Sequence, residues 1–121
     1  MRKFLLNCLL VLIFTGIFFG ATMSWVNKSQ AEETAALYVK QGQELYNQGK
    51  YDEAVRSLRK AVEINSEAEA PHYVLAMIYE KKGQNDQAIQ EWNEVIRLSS
   101  NKGLLKSARI HLERLRRLAN E

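Results

Sequence analysis

One cysteine and one proline are all that these 121 residues contain of either type. A lone cysteine cannot close a disulfide within its own chain, so no disulfide framework holds this fold. Cys8 follows Leu5-Leu6-Asn7, where a lipidated cysteine wants a small residue before it, and most of the apolar run comes after it. It reads as a small apolar residue facing lipid. Charge is missing from residues 4–26 altogether. All 14 acidic residues and 14 of the 17 basic ones lie from Glu32 onward, so that part is formally neutral. The net +3 comes from Arg2, Lys3 and Lys28, beside the uncharged run, so a pI near 9.1 is no argument for nucleic acid, and no nucleic-acid partner is expected. Glycine-rich phosphate loops and nucleophile elbows are absent. His72 and His111 have no histidine, cysteine or carboxylate at metal-ligand spacing. Asp52 with Glu53, and Glu91 with Glu94, read as solvated helix faces. No catalytic residue, cofactor or metal is expected, and the chain does not read as an enzyme.

What is present begins with an apolar segment. Arg2 and Lys3 are followed by 23 uncharged residues, 4–26, ending near Trp25. As a helix rising about 1.5 Å per residue they extend roughly 35 Å, enough for a hydrocarbon core of roughly 30 Å. Trp25 suits the far interface. A secretory signal is the competing reading, with Ser29-Gln30-Ala31 as its small-residue cleavage site, but its apolar stretch is usually roughly 7–15 residues. Length favours a single-pass membrane anchor. Arg2 and Lys3 stay on the cytoplasmic side, so the polar part is expected outside the cytoplasm, tethered or, after cleavage, secreted or periplasmic. Residues 1–31 are thus anchor or signal with a short linker, and residues 32–121 form one domain.

That domain repeats itself every 34 residues. Gly49 recurs as Gly83, Ala54 as Ala88, Val55 as Ile89, Leu58 as Trp92, Ala61 as Val95, Val62 as Ile96 and Ile64 as Leu98. Each unit has the pattern of a helical hairpin. Tyr38, Val39 and Leu45 recur at helical spacing until Gly49, which can take the left-handed conformation that ends a helix. Tyr51, Ala54, Val55, Leu58, Ala61, Val62 and Ile64 then share one face of a second helix. Gly42, Ala54 and Ala61 allow close approach. In the second unit Pro71 suits a first turn, Val74, Leu75, Ile78 and Tyr79 form the stripe, and Gly83 stops it. Ala88, Ile89, Trp92, Val95, Ile96 and Leu98 follow. A last amphipathic helix, residues 102–119, buries Leu104, Leu105, Ala108, Leu112, Leu115 and Leu118. It carries Lys102, Lys106, Arg109, Arg114, Arg116 and Arg117 against Glu113.

The chain resembles a tetratricopeptide-repeat protein. The positions that carry the likeness are Tyr38, Gln41, Gly42, Leu45, Ala54, Leu58, Ala61 and Ser66 in the first unit. In the second they are His72, Leu75, Ala76, Tyr79, Ala88, Trp92, Val95 and Ser100. Gln41, Leu45, His72 and the two serines depart from the family pattern. The resemblance implies an all-α fold: the N-terminal transmembrane or signal helix, then two antiparallel hairpins (about 35–68 and 69–102) and a capping helix.

It also implies a concave groove, lined by the first helix of each hairpin, that binds a protein or peptide. The groove positions are Val39, Gln43, Tyr46 and Asn47, then Tyr73, Met77, Glu80 and Lys81, then Ser107, His111 and Arg114 of the cap. Tyr46, Tyr73 and Met77 would give an apolar, adaptable floor, and Lys81, His111 and Arg114 a basic edge. Val39 and Gln43 stand where the family's carboxylate clamp wants lysine and asparagine, so no clamp is expected. Tyr73 and Met77 can instead pack between hairpins, and His72 and His111 read as packing or surface residues. Such stacks usually need about three units, and two hairpins with one helix make a small core. A partner, a second copy forming a homo-oligomer, or the membrane surface would cover the open edge. The basic face of the last helix is either a solvated face or a contact for anionic lipid headgroups. The function expected is a membrane-anchored scaffold or assembly factor. The alternatives are a self-associating structural component and an exported soluble form.

Overall fold

In a computed structural model the described residues form five helices: α1 (Arg2–Asn47), α2 (Tyr51–Ile64), α3 (Glu69–Lys81), α4 (Asn85–Leu98) and α5 (Lys102–Ala119). The structure describes the backbone from residue 2 and the side chains from residue 24. No strand occurs among the described residues. Two compact units are present, residues 1–33 and 34–121. In the first, the described side chains from Ser24 onward are exposed apart from Ala31, and Trp25 is 81% exposed. Among the described residues no helix is long and apolar enough to cross a membrane. Cys8, and the expected anchor 4–26 as far as residue 23, lie outside them.

The second unit is the helical stack, and its turns follow from the backbone. Gly49 sits at φ +75° and Gly83 at φ +71°. Gly49 N–H donates to Tyr46 O and Lys50 N–H to Leu45 O, both at 2.9 Å. One period on, Gly83 N–H donates to Glu80 O at 3.0 Å and Gln84 N–H to Tyr79 O at 2.8 Å. The same pair of bonds closes both helices and satisfies carbonyls that a helix end leaves open. At the α2–α3 turn Asn65 Oδ1 accepts from Glu67 N–H at 3.1 Å, the local bond that makes asparagine a turn former. Pro71 stands in the first turn of α3, where no intrahelical N–H bond is lost. Asn101 caps α5, its side chain accepting from Gly103 and Leu104 N–H at 2.9 and 3.2 Å.

The core runs through all the hairpins. Ala54, Leu58 and Ala61 of α2, Ala76 and Ile78 of α3, Ala88, Trp92 and Val95 of α4, and Ala108 of α5 are fully buried. The alanines bring helices close. Gly42 does so most sharply, since a Cβ there would lie 2.5 Å from Leu58 Cγ. Packing runs in sequence: α2 on α3, α3 on α4 and α4 on α5. Two of the apolar positions expected on the buried faces of α2 and α5 are exposed. Ile64 is the last residue of α2 and 36% exposed. Leu118 is 52% exposed, in the last turn of an 18-residue helix packed on one of 14. Both keep the apolar period but lie where the neighbouring helix gives no cover.

Candidate functional site

One helix face is built from α3 and α5 over a floor from α4. Tyr73, Met77, Glu80 and Lys81 of α3 and His111 and Arg114 of α5 carry it. Met77, Glu80, Lys81, His111 and Arg114 line a shallow cleft of about 350 Å³. Beneath it lies Trp92, fully buried. Its ring stacks on His111, centroids 4.5 Å apart and planes 22° apart. Tyr73 meets the same indole edge-on at 5.5 Å and 81°. Both arrangements suit the ring quadrupole.

Glu80 organises this face. A carboxylate oxygen only accepts, so its neighbours donate. Trp92 Nε1–H donates to Oε1 at 2.6 Å, and His111 Nδ1–H to the same oxygen at 2.7 Å. Arg114 Nη2 donates to Oε2. The Glu80 side chain is 13% exposed, Arg114 56%. A half-buried carboxylate is thus matched by two groups of the neighbouring helix and one indole, which offsets the cost of desolvating it. His111 and Arg114 are turned to Glu80, and only Lys81 stands exposed without an ion pair among the described residues.

The other expected groove residues fall differently. Val39 and Tyr46 of α1 are half-buried, and Gln43 and Asn47 are exposed. Tyr46 packs against the core, its ring 5.8 Å from that of Tyr51. Ser107 is half-buried on α5. The lining of the cleft comes from α3 and α5 alone, so Val39, Gln43, Tyr46, Asn47 and Ser107 share its face of the repeat without entering it. Tyr73 and Met77 do double duty, packing on the core while remaining partly exposed.

A family model described as a TPR repeat matches residues 42–83, and one described as a tetratricopeptide repeat matches residues 71–102. Residues 42–102 are tetratricopeptide repeats. They make up about half of the chain and span three of the five helices with part of α1. The comparison with curated proteins found no match. Tetratricopeptide repeats are generally non-enzymatic modules that bind other proteins.

Three features of the repeat domain escape a reading by pattern. Trp92 reads as core and is core, yet its N–H is the buried donor that fixes Glu80. Glu91, read as solvation, is half-buried, its Oε2 2.7 Å from His72 Nδ1. His72 is buried, and that bond to Glu91 raises its pKa above the ordinary histidine value against the opposing effect of burial, with Glu94 adding to the rise. Ser57, a polar residue among alanines, is buried because its hydroxyl donates to Tyr38 O at 3.1 Å, and it lies 2.9 Å from Gln41 Oε1. One signal was in the sequence: Glu80 and Arg114 have opposite charge at the same repeat position, 34 residues apart. In a stack, equivalent positions of successive first helices face the same side.

Proposed function

We propose that this chain is a non-catalytic interaction module whose α3–α5 cleft takes a segment of a partner protein. The family match makes a protein partner the expectation, and the cleft gives it a place. The observation that carries the reading is the pre-set face: Tyr73, Trp92 and His111 are interlocked rings, and Glu80 holds them to α5 before any partner arrives. A surface fixed in advance loses little entropy on binding. Met77 supplies an adaptable apolar contact, and Lys81 a free cation beside it, so the segment bound carries an apolar side chain next to an acidic one. Glu80 is already engaged by three donors, which leaves it poorly suited to general acid–base work.

In the same proposal, residues 4–26 hold the module at a membrane, with residues 34–121 outside the cytoplasm. What supports this is the uncharged run of 23 residues and the Arg2 and Lys3 beside it. The module then acts as a scaffold or assembly factor for a membrane complex. Purification of the full chain from membranes after crosslinking tests both parts. A defined partner should be recovered, and the double variant Tyr73→Ala, Met77→Ala should lose it while keeping its helical circular dichroism. Recovery of the same partner by that variant would remove the cleft from the account, and a native mass matching cleavage after Ala31 would remove the anchor.

A further inference from the structure

A second surface lies on the flank of α5 away from the cleft. Helix α5 stands where the first helix of a third hairpin would: Met77 recurs as His111 and Glu80 as Arg114. In α3 the positions His72, Leu75, Ala76 and Tyr79 are all buried under neighbouring helices. One period later they read Lys106, Arg109, Ile110 and Glu113, and all four are exposed. Ile110 is 59% exposed. Among the described residues nothing covers this flank. Two shallow clefts of about 300 and 540 Å³ run along it and share Arg109 and Glu113, with half-buried Leu105 and Ile96 of α4 in their floors.

The charge on this flank is one-sided. Lys102, Lys106, Arg109 and Arg116 make no ion pair among the described residues, whereas Arg114 is held by Glu80 and Arg117 by Glu113. The other charged residues from Glu32 onward are 10 basic and 14 acidic, so these cations are a local excess in a domain that is otherwise net acidic. The covered hairpin shows what meets such a position. His72 of α3 faces Glu91 of α4 at 2.7 Å, and Lys106 is the residue one period after His72. Ile110 replaces Ala76, so an occupant cannot approach as closely as α2 or α4 do. It must reach the cations with longer side chains.

We infer that the α5 flank around Lys106, Arg109 and Ile110 is a docking surface for an acidic amphipathic helix of a partner protein, which would sit as the second helix of a third hairpin. Its apolar stripe would cover Ile110 and Leu105, and its glutamates would pair with the four cations, as helices do in grooves elsewhere. Half-buried Leu105 and Ile96 lie in the concave floors of the two clefts, which a stripe of side chains on a helix fills and a flat headgroup layer does not. This surface is separate from the α3–α5 cleft, and either can fail without the other.

The test uses the full chain in a non-ionic detergent and a labelled synthetic helix with leucines at i, i+3, i+4 and i+7 flanked by glutamates. Its control is the same composition scrambled to destroy the stripe. The striped helix should bind, and the exposed double variant Lys106→Glu, Arg109→Glu should weaken it about tenfold or more. A lysine-flanked version of the helix should regain binding on that variant, and Met77→Ala should leave binding unchanged. Equal binding of striped and scrambled helices, or no effect of the charge reversal, overturns the inference. So does reversal-sensitive binding seen only with phosphatidylserine vesicles, or a dimer by light scattering that the reversal dissolves.

Discussion

At the scale of single residues, two positions bear more than their size suggests. Gly42 leaves no room for a side chain where α1 meets Leu58 of α2. Replacing it with alanine sets a methyl against Leu58, itself fully buried. Overpacking of this kind costs about 1–3 kcal/mol, partly offset by the gain of about 1 kcal/mol in helix propensity. Urea unfolding of Gly42→Ala should show a net loss, and Gly42→Val a larger one. His72 gives the second test. Its folded pKa is raised by Glu91 above the unfolded value of 6.5. The resulting stabilisation is fully present below pH 6.5 and is lost as pH rises through the raised folded value. Unfolding midpoints should therefore fall across that window in the parent chain, and the fall should flatten in Glu91→Gln.

At the scale of elements, sequence period and structure agree where one face of a helix decides the outcome. The 34-residue offset located the turn inside each hairpin, because Gly49 and Gly83 must both reach positive φ and little but glycine does so freely. The extent of α5, residues 102–119, was legible from its apolar period, and the structure adds the Asn101 cap that starts it. What was not legible is how polar residues pair across helices. Glu80, Trp92, His111 and Arg114 lie on three elements, and only their packing shows that one carboxylate serves three donors. Glu80→Ala tests this joint. It strands the buried Trp92 N–H and releases His111 and Arg114, at about 1–3 kcal/mol. Limited proteolysis should then cut α5 sooner than α2. If α5 stays as protected as in the parent, Glu80 does not hold it.

At the scale of the whole molecule, the fold offers two faces with different chemistry. The α3–α5 cleft lies over the buried Trp92 ring and carries one cation without an ion pair among the described residues, Lys81. The outer flank of α5 is strongly basic over a thin apolar floor. Of the residues expected in the groove, His111 and Arg114 are paired with Glu80, and the α1 residues Gln43 and Asn47 are exposed and do not line the cleft. Placing a residue on a repeat face needs only the period, whereas knowing whether its charge is free needs the neighbours. The central claim is that partners meet the second unit at the α3–α5 face. Its most direct test replaces Lys81 with a photo-crosslinking residue in the full chain in membranes, beside the same residue at Arg56, exposed on α2. One discrete partner crosslinked from position 81 and absent from position 56 is the result expected here. A partner captured from position 56 and never from position 81 would contradict the account.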